Sequence, residues 1–379
     1  MNNTIVNIFR GDKVIWIVLF FLSALSLLIV YSSTGALAYR EAGGNTLYYL
    51  TRQVVFIAVG IGVMLFMVHI LPVKIYALLA PLLVYTAITL LFIAVVSKFT
   101  GRSAGSGRTL DLGIIAFQPA EFAKIALIMF SAKVLGKKQK TKGDLFKAFK
   151  SIIIHTVIIC GMIFIFDFST SALLFATVMT MMFTGRIPLK YLGSVVGVAV
   201  LLLATIYFSA DYVDSNNKLR LKTIKGRIDR FISDDGPGHS DVSNFMAAAY
   251  NDFIFAIIVE EYGLVTAVFV IFLYLVFFFR SIVVVRRATR TFPAFLVIGL
   301  TLMLVFQAMV NAGVSSGVLP VTGQPLPWIS LGGTSLLFTS VAFGCILSVS
   351  YQNQENKTIQ EPPPVQVTTV YEDYELQEE

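Results

Sequence analysis

The sequence predicts an all-α polytopic membrane protein with about ten transmembrane helices. Three observations carry that expectation. Of 379 residues, 56% are hydrophobic and only 13% are charged, about half the charged share of an ordinary soluble domain. Mean hydropathy is +0.80, and it is concentrated in runs near the 20 or so residues that cross a hydrocarbon core. Lys and Arg gather in alternate short loops, the pattern of cytoplasmic loops in multispanning proteins. The net charge of +7 is therefore a loop-by-loop feature and not a nucleic-acid footprint. Cys160 and Cys345 both sit inside apolar runs and offer neither metal spacing nor a disulfide framework.

Ten runs qualify as spans, at 14–37, 52–71, 74–97, 119–136, 150–166, 169–187, 189–208, 252–279, 291–313 and 333–351. The first begins at Lys13 with no small-residue cleavage site close behind it, so it reads as a retained helix and not a signal peptide. With residues 1–13 inside, the same side receives Lys74, Lys133 to Lys150, Arg186 with Lys190, and Arg280 to Arg290. The opposite short loops hold only Arg40, Lys98, Arg102 and Arg108. Both termini are then cytoplasmic. Residues 14–351 form the membrane domain. The acidic tail 352–379, with Pro362 to Pro364 and Glu372 to Glu379, has too little apolar surface to fold alone and is expected to be disordered.

Two outward segments interrupt the pattern. One is the Gly/Ser/Arg-rich stretch Gly101–Gly113. The other, 209–250, repeats Leu221, Ile224, Ile228 and Phe231 at helical spacing, with Arg220, Lys225, Arg227 and Arg230 on other faces. That spacing predicts a basic amphipathic helix on the membrane surface.

Ionisable groups inside membranes ask for a partner or a task. Helix four opens at Gln118-Pro119, proline being well suited to a first turn, and Glu121 and Lys124 follow three apart on one face, where they can pair. Helix eight opens near Asp252, at the outer interface, where the helix dipole favours a carboxylate. Glu260 and Glu261 lie about 12 Å deeper and need partners from other helices, Lys124 among the candidates. Asp167, beside Ser169, Thr170 and Ser171, fits turn chemistry between helices five and six. Three scattered histidines make no metal site. Leu319–Ser330, with Pro320, Pro325 and Pro327, cannot be one helix. It is either a cavity-lining re-entrant loop or an outward loop packed on the bundle. Either way it shares a side with Lys124 and Asp252. The result is an outward polar cavity with carboxylates and a basic rim, suited to an anionic amphiphile.

These residues resemble those of the SEDS family (shape, elongation, division and sporulation), whose branches are FtsW and RodA. The resemblance spans nearly all ten runs. It is strongest in Phe117–Lys124, in Asp252–Ile258 with Glu260–Gly263, and from Gln307 and Asn311 through Gly313 to Ser335. Tyr31-Ser32-Ser33 and Arg52-Gln53 also fit. The resemblance implies a SEDS-type bundle and a glycosyltransferase that polymerises lipid II at the outer face of the inner membrane. It implies Asp252 as catalytic residue, acting on the acceptor hydroxyl as general base or through a divalent cation, Mg or Mn. Glu121, Lys124, Arg102, Arg108, Arg227, Arg230, Gln118, Thr322, Ser330, Gly332, Gly333 and Ser335 are then candidate substrate contacts, the arginines facing the lipid pyrophosphate. The implied leaving group is undecaprenyl pyrophosphate. The implied partners are a class B penicillin-binding transpeptidase and other divisome proteins.

The chain departs from the family pattern in a shorter Phe231–Asp252 stretch with no Gly-rich segment, and in Thr109, Phe166 and Ser169 where Trp, Pro and Gly are usual. Gly11-Asp12-Lys13 and the acidic tail fit the division branch better than the elongation branch. A lipid II flippase and a non-catalytic scaffold that recruits the transpeptidase are the competing classes, separated from the polymerase by what Asp252→Ala does.

Overall fold

The computed structural model describes residues 8–33, 46–100, 109–111, 116–137, 142–213, 254–320 and 322–360. Ten helices stand among them: α1 (Lys13–Ser33), α2 (Thr46–Ile70), α3 (Val73–Phe99), α4 (Pro119–Lys137), α5 (Lys142–Phe164), α6 (Phe168–Thr184), α7 (Leu189–Val213), α8 (Ile254–Arg286), α9 (Thr291–Ser315) and α10 (Gly333–Gln360). One small departure from an all-helical chain precedes α4, where β1 (Leu110–Asp111) and β2 (Ala116–Phe117) pair antiparallel, Leu110 opposite Phe117.

Eight of the ten helices have the length and hydropathy of a membrane span. The other two are α4, which carries Glu121 and Lys124 in 19 residues, and α6, with 17 residues. α6 is apolar and merely short, whereas α4 is packed on by five helices and so does not need apolar residues on every face. α4 lies against α3, α5, α6, α9 and α10, while α9 touches α4, α6, α8 and α10. Burial follows that centrality: 72% of the α9 span is buried against 6% of α7, which lies at the edge along α6 with Tyr191 stacked on Phe149 of α5. α9 can sit in the middle because Gly299 lets it approach, a Cβ there meeting Met181 Sδ at 2.5 Å and Ile128 at 2.6 Å.

Asp167 is the N-cap of α6. Its carboxylate accepts the Ser169 and Thr170 backbone N–H groups at 3.0 and 3.4 Å, which turns the chain between α5 and α6. The predicted turn chemistry is what the backbone uses. α8 is bent at Gly263, whose φ of 77° and ψ of 171° belong to a region essentially reserved for glycine. Its N-terminal segment leans on α1, with the Tyr262 hydroxyl donating to the Leu28 carbonyl at 2.8 Å.

Several boundaries differ from the sequence expectation. α5 begins at Lys142 rather than 150, α8 ends at Arg286 rather than 279, and α10 continues to Gln360 rather than 351. The α5 extension mixes charges with apolar residues and the α10 extension is almost wholly polar, whereas α8 passes Arg280 and Ser281 into the apolar stretch 282–285; tertiary contacts hold the ends of α8 and α10. Asn353 Nδ2 donates to Val284 O at 3.0 Å, tying the ends of α8 and α10 together. The predicted tail therefore begins with helix, and 361–379 lie outside the described residues. So do the predicted surface helix at 221–231 and most of Gly101–Gly113.

Candidate active site

The site grows from the first turns of α4. Pro119 starts the helix, and the Glu121 N–H reaches the Gln118 carbonyl at 3.2 Å. One turn on, Lys124 Nζ lies 2.8 Å from Glu121 Oε1, with side chains 1% and 8% exposed. A buried ammonium is tolerable only with a charge partner and further hydrogen bonds. Lys124 has both, since it also donates to Gln307 Oε1 of α9 at 3.4 Å.

From there a polar wall continues through buried side chains. Gln307 Nε2 donates to the Pro325 carbonyl at 3.0 Å. Asn311, one turn along α9, donates to the Gln324 carbonyl at 2.7 Å. The Gln324 amide in turn donates to the Thr170 hydroxyl, which donates to Asp167 Oδ2 at 2.9 Å. Glu121, Lys124, Gln307, Asn311, Gln324, Thr170 and Asp167 thus join α4, α9, the 316–332 loop and α6 at one end of the bundle. Sequence reasoning placed Gln307 and Asn311 in a family motif without giving them a role. Two amides four apart in an otherwise apolar span were the available signal, because each must find a polar partner.

The 316–332 segment is a folded-back loop that enters the bundle to mid-helix depth, beside Ser23, Gly60 and Tyr274, which is the re-entrant alternative of the two left open by the sequence. Trp328 is its plug, 2% exposed, with a positive φ of 68° that is costly for a bulky side chain. Its indole donates to Ser23 Oγ at 2.8 Å, and the Tyr274 hydroxyl donates to the Pro327 carbonyl. Gln53 donates to Ser26 at 2.8 Å and Ser26 to the Ile329 carbonyl at 3.0 Å. Helices α1, α2, α6, α8 and α9 therefore all hold this one loop.

The other sequence candidates divide by what occupies them. The Ser330 hydroxyl accepts the Leu326 N–H at 2.8 Å, closing a turn within the loop. Gly333 is required by packing, since a Cβ there would meet the Phe56 ring at 2.6 Å. Gly332 and Ser335 flank it at the partly exposed start of α10. Thr322 Oγ1 and Gln324 Oε1 are buried and have no hydrogen-bond partner among the described residues, so each is free to receive one. Gln118 and Asp167 line a narrow cleft with Ala94, Pro119 and Phe166. Asp252, Arg102, Arg108, Arg227 and Arg230 lie outside the described residues; the chain is described again from Ile254, which is fully buried.

One expectation is overturned. Lys124 does not serve Glu260 or Glu261, for its ammonium is taken by Glu121 and Gln307. The two glutamates are exposed near the N-terminal end of α8, and Glu261 accepts the Ser32 hydroxyl of α1. The N-terminal segment of α8, ahead of the bend at Gly263, lies along α1, tied by Tyr262 to the Leu28 carbonyl.

No group of three or more His, Cys, Asp or Glu side chains stands together among the described residues. Glu121, the one carboxylate inside the wall beside the capping Asp167, already carries an ammonium. The described residues do not fit a divalent-cation cage.

Comparison with known proteins follows the same lines as the geometry. A family model, FtsW/RodA/SpoVE, described as "Cell cycle protein", matches residues 12–240 and 231–355. The probable peptidoglycan glycosyltransferase FtsW of Saccharophagus degradans is 31% identical over 375 residues, covering 92% of this chain and 95% of that protein. The peptidoglycan glycosyltransferase MrdB of Escherichia coli is 30% identical over 347 residues, covering 85% and 90%. Among solved structures, the rod shape determining protein RodA of Thermus thermophilus shares the fold, with a TM-score of 0.67 at 23% identity over 90% of this chain and 97% of that one. A chain from a structure titled for coordination of polymerization and crosslinking by a peptidoglycan synthase complex gives a TM-score of 0.68 at 25% identity, covering 88% and 97%.

Proposed function

The chain belongs to the FtsW/RodA/SpoVE cell cycle protein family, and on that premise we propose that it is a peptidoglycan glycosyltransferase of the bacterial cytoplasmic membrane. It polymerises lipid II into glycan strands at the outer face, with both termini in the cytoplasm. The observation that carries this reading is the buried Glu121–Lys124 pair, tied through Gln307 to a folded-back loop at the end of the bundle assigned outside. Eight helices of membrane-span hydropathy do not need such a wall for stability, since apolar residues would pack as well. A polar substrate at the membrane surface does need it.

In this reading Asp252 takes the proton from the acceptor sugar hydroxyl as that oxygen attacks the anomeric carbon of the donor. The bond from that carbon to the pyrophosphate oxygen breaks, and undecaprenyl pyrophosphate leaves with the electron pair. Arg102 and Arg108 carry guanidinium groups suited to the pyrophosphate. Lys124, neutralised by Glu121, contributes a fixed donor and not a free charge. The loop atoms Thr322 Oγ1 and Gln324 Oε1 are buried and unpartnered, acceptors for sugar hydroxyls where the loop gives way to substrate. The FtsW names among the relatives favour the division branch. The synthase-complex title of one structural neighbour supports a partner that cross-links the strand, a class B penicillin-binding transpeptidase.

Complementation tests the reading in the cell. A strain depleted of its own copy is supplied with the parent chain or with Asp252→Ala at equal membrane levels. The polymerase predicts that only the parent restores septation. Restoration by both would make the chain a scaffold.

A further inference from the structure

At the end of the bundle opposite the candidate active site, a cavity of about 310 Å³ opens between the chain ahead of α1 and the ends of α8 and α10. Its wall is Asp12, Val284, Arg287, Thr289, Ser350, Asn353 and Gln354. We propose that this cavity binds a phosphate-bearing anion on the cytoplasmic side, whether a phospholipid headgroup or a soluble phosphate ester.

The frame of the cavity is built. Asp12 is 2% exposed; its Oδ2 takes Arg280 Nε at 2.6 Å, and its Oδ1 accepts the Val14 and Ile15 N–H groups at 2.9 and 3.4 Å. Gly11, at a φ of 98°, lies so close to α10 that a Cβ would meet the Leu347 carbonyl at 2.9 Å. Gln354 donates to the Gly11 carbonyl at 3.2 Å, and Arg10 caps the arrangement over the Tyr351 ring at 5.2 Å. The only acid in the lining is therefore already neutralised.

What remains is positive and rich in donors. The Arg287 guanidinium has no ion-pair or hydrogen-bond partner among the described residues. Arg286 and Arg290 stand near it in sequence, and the hydroxyls of Thr289 and Ser350 share its cavity. A guanidinium fork beside the Thr289 and Ser350 hydroxyls suits a tetrahedral, multiply charged oxyanion. The volume lies at the small end of ligand pockets, roughly 300–1,000 Å³, which admits a headgroup and excludes a helix from a partner protein.

Depth agrees. The lipid-exposed aromatic face of α8 ends at Phe279, 63% exposed, and Arg280 follows at once. Arg287 is two turns beyond, about 10 Å along the axis, against a headgroup zone of roughly 5–7 Å. The site is within reach of both lipid phosphate and solution. It rests on the proposed function only for which side is cytoplasmic.

The test uses the full chain in nanodiscs. In one arm inorganic phosphate and glycerol 3-phosphate are titrated in phosphatidylcholine discs, followed by phosphorus NMR. In the other, phosphatidylglycerol is titrated into the same discs and retained lipid is counted by native mass spectrometry. Saturable binding is expected in at least one arm, and the arm identifies the source. Arg287→Gln should weaken it about tenfold or more, the loss of one charge-assisted contact, while Arg290→Gln, outside the lining, should change it less than about twofold. Ser350→Ala provides a second variant inside the cavity and should also weaken binding. Absence of saturation in both arms, equal losses in Arg287→Gln and Arg290→Gln, or equal binding of acetate would overturn the proposal. The readout does not involve polymerisation, so it stands or falls separately from the polymerase reading.

Discussion

Lys124 and Glu121 form a 2.8 Å ion pair one turn apart on α4, almost closed to solvent, and Gln307 completes the ammonium's coordination from α9 at 3.4 Å. The pair is buried against other helices, on a helix whose composition is too polar to read as a span by itself. It is the point where the site's electrostatics and the fold's stability meet.

Removing one member and removing both should therefore have different consequences. Glu121→Gln strands a buried ammonium and should destabilise the purified chain by about 3–5 kcal/mol, whereas Glu121→Gln with Lys124→Met, which removes both charges, should return to within about 1 kcal/mol of the parent. Thermal unfolding in detergent reads both. Polymerisation should stay lost in the double variant. A double variant that is stable and active would show the pair to be structural only.

Gln307→Leu removes the donor to Pro325 O and the acceptor of Lys124, and Gln324→Leu cuts the link to Thr170. Hydrogen bonds between membrane helices are worth about 0.6 kcal/mol on average, up to about 1.7, so each variant should fold. The expected outcome is faster proteolysis within 316–332 and at least a tenfold loss of polymerisation, a local loosening with little change in the unfolding temperature. An unfolding transition shifted as much as activity would contradict it.

Gly263→Ala should be costly despite the open space around the position, because the backbone there has a φ of 77°. The expected cost is about 1–3 kcal/mol. Straightening α8 should also pull Glu261 away from Ser32. Cross-linking between paired Ser32→Cys and Glu261→Cys reads that distance directly, and it should fall when Gly263→Ala is added.

The two native cysteines are buried, Cys160 at 7% and Cys345 at 0%, so a maleimide should leave the folded parent unlabelled. On that silent background, Lys137→Cys and Arg290→Cys should react only from the cytoplasmic side. Labelling of either from outside would invert the orientation and with it the side of the candidate site.

Much of this was legible from hydropathy. An apolar run must be helical in a bilayer, so ten runs give ten helices, and Pro119 and Asp167 mark two helix starts through chemistry that acts within a single turn. The extensions of α5, α8 and α10 were not legible, because 142–150 interleaves charges with apolar residues, Arg280 and Ser281 interrupt α8 before the apolar 282–285, and 352–360 is almost wholly polar, while contacts such as Asn353 to Val284 O hold the ends of α8 and α10. The site was half legible. Glu121 and Lys124 pair locally, as a spacing of three permits. Lys124 as a partner for Glu260 and Glu261 failed because the N-terminal segment of α8 lies along α1, where Glu261 meets Ser32. The role of Gln307, Asn311 and Gln324 is to bind loop carbonyls and hydroxyls far along the chain, and no periodicity records that.

The most direct measurement is lipid II polymerisation by the purified chain with its cognate transpeptidase, resolved on a gel, beside Asp252→Ala prepared in the same way. The account predicts long glycan strands from the parent and none from the variant. Strands of equal length from both would remove Asp252 from the chemistry, and no strand from a well-folded parent complex would contradict the polymerase itself.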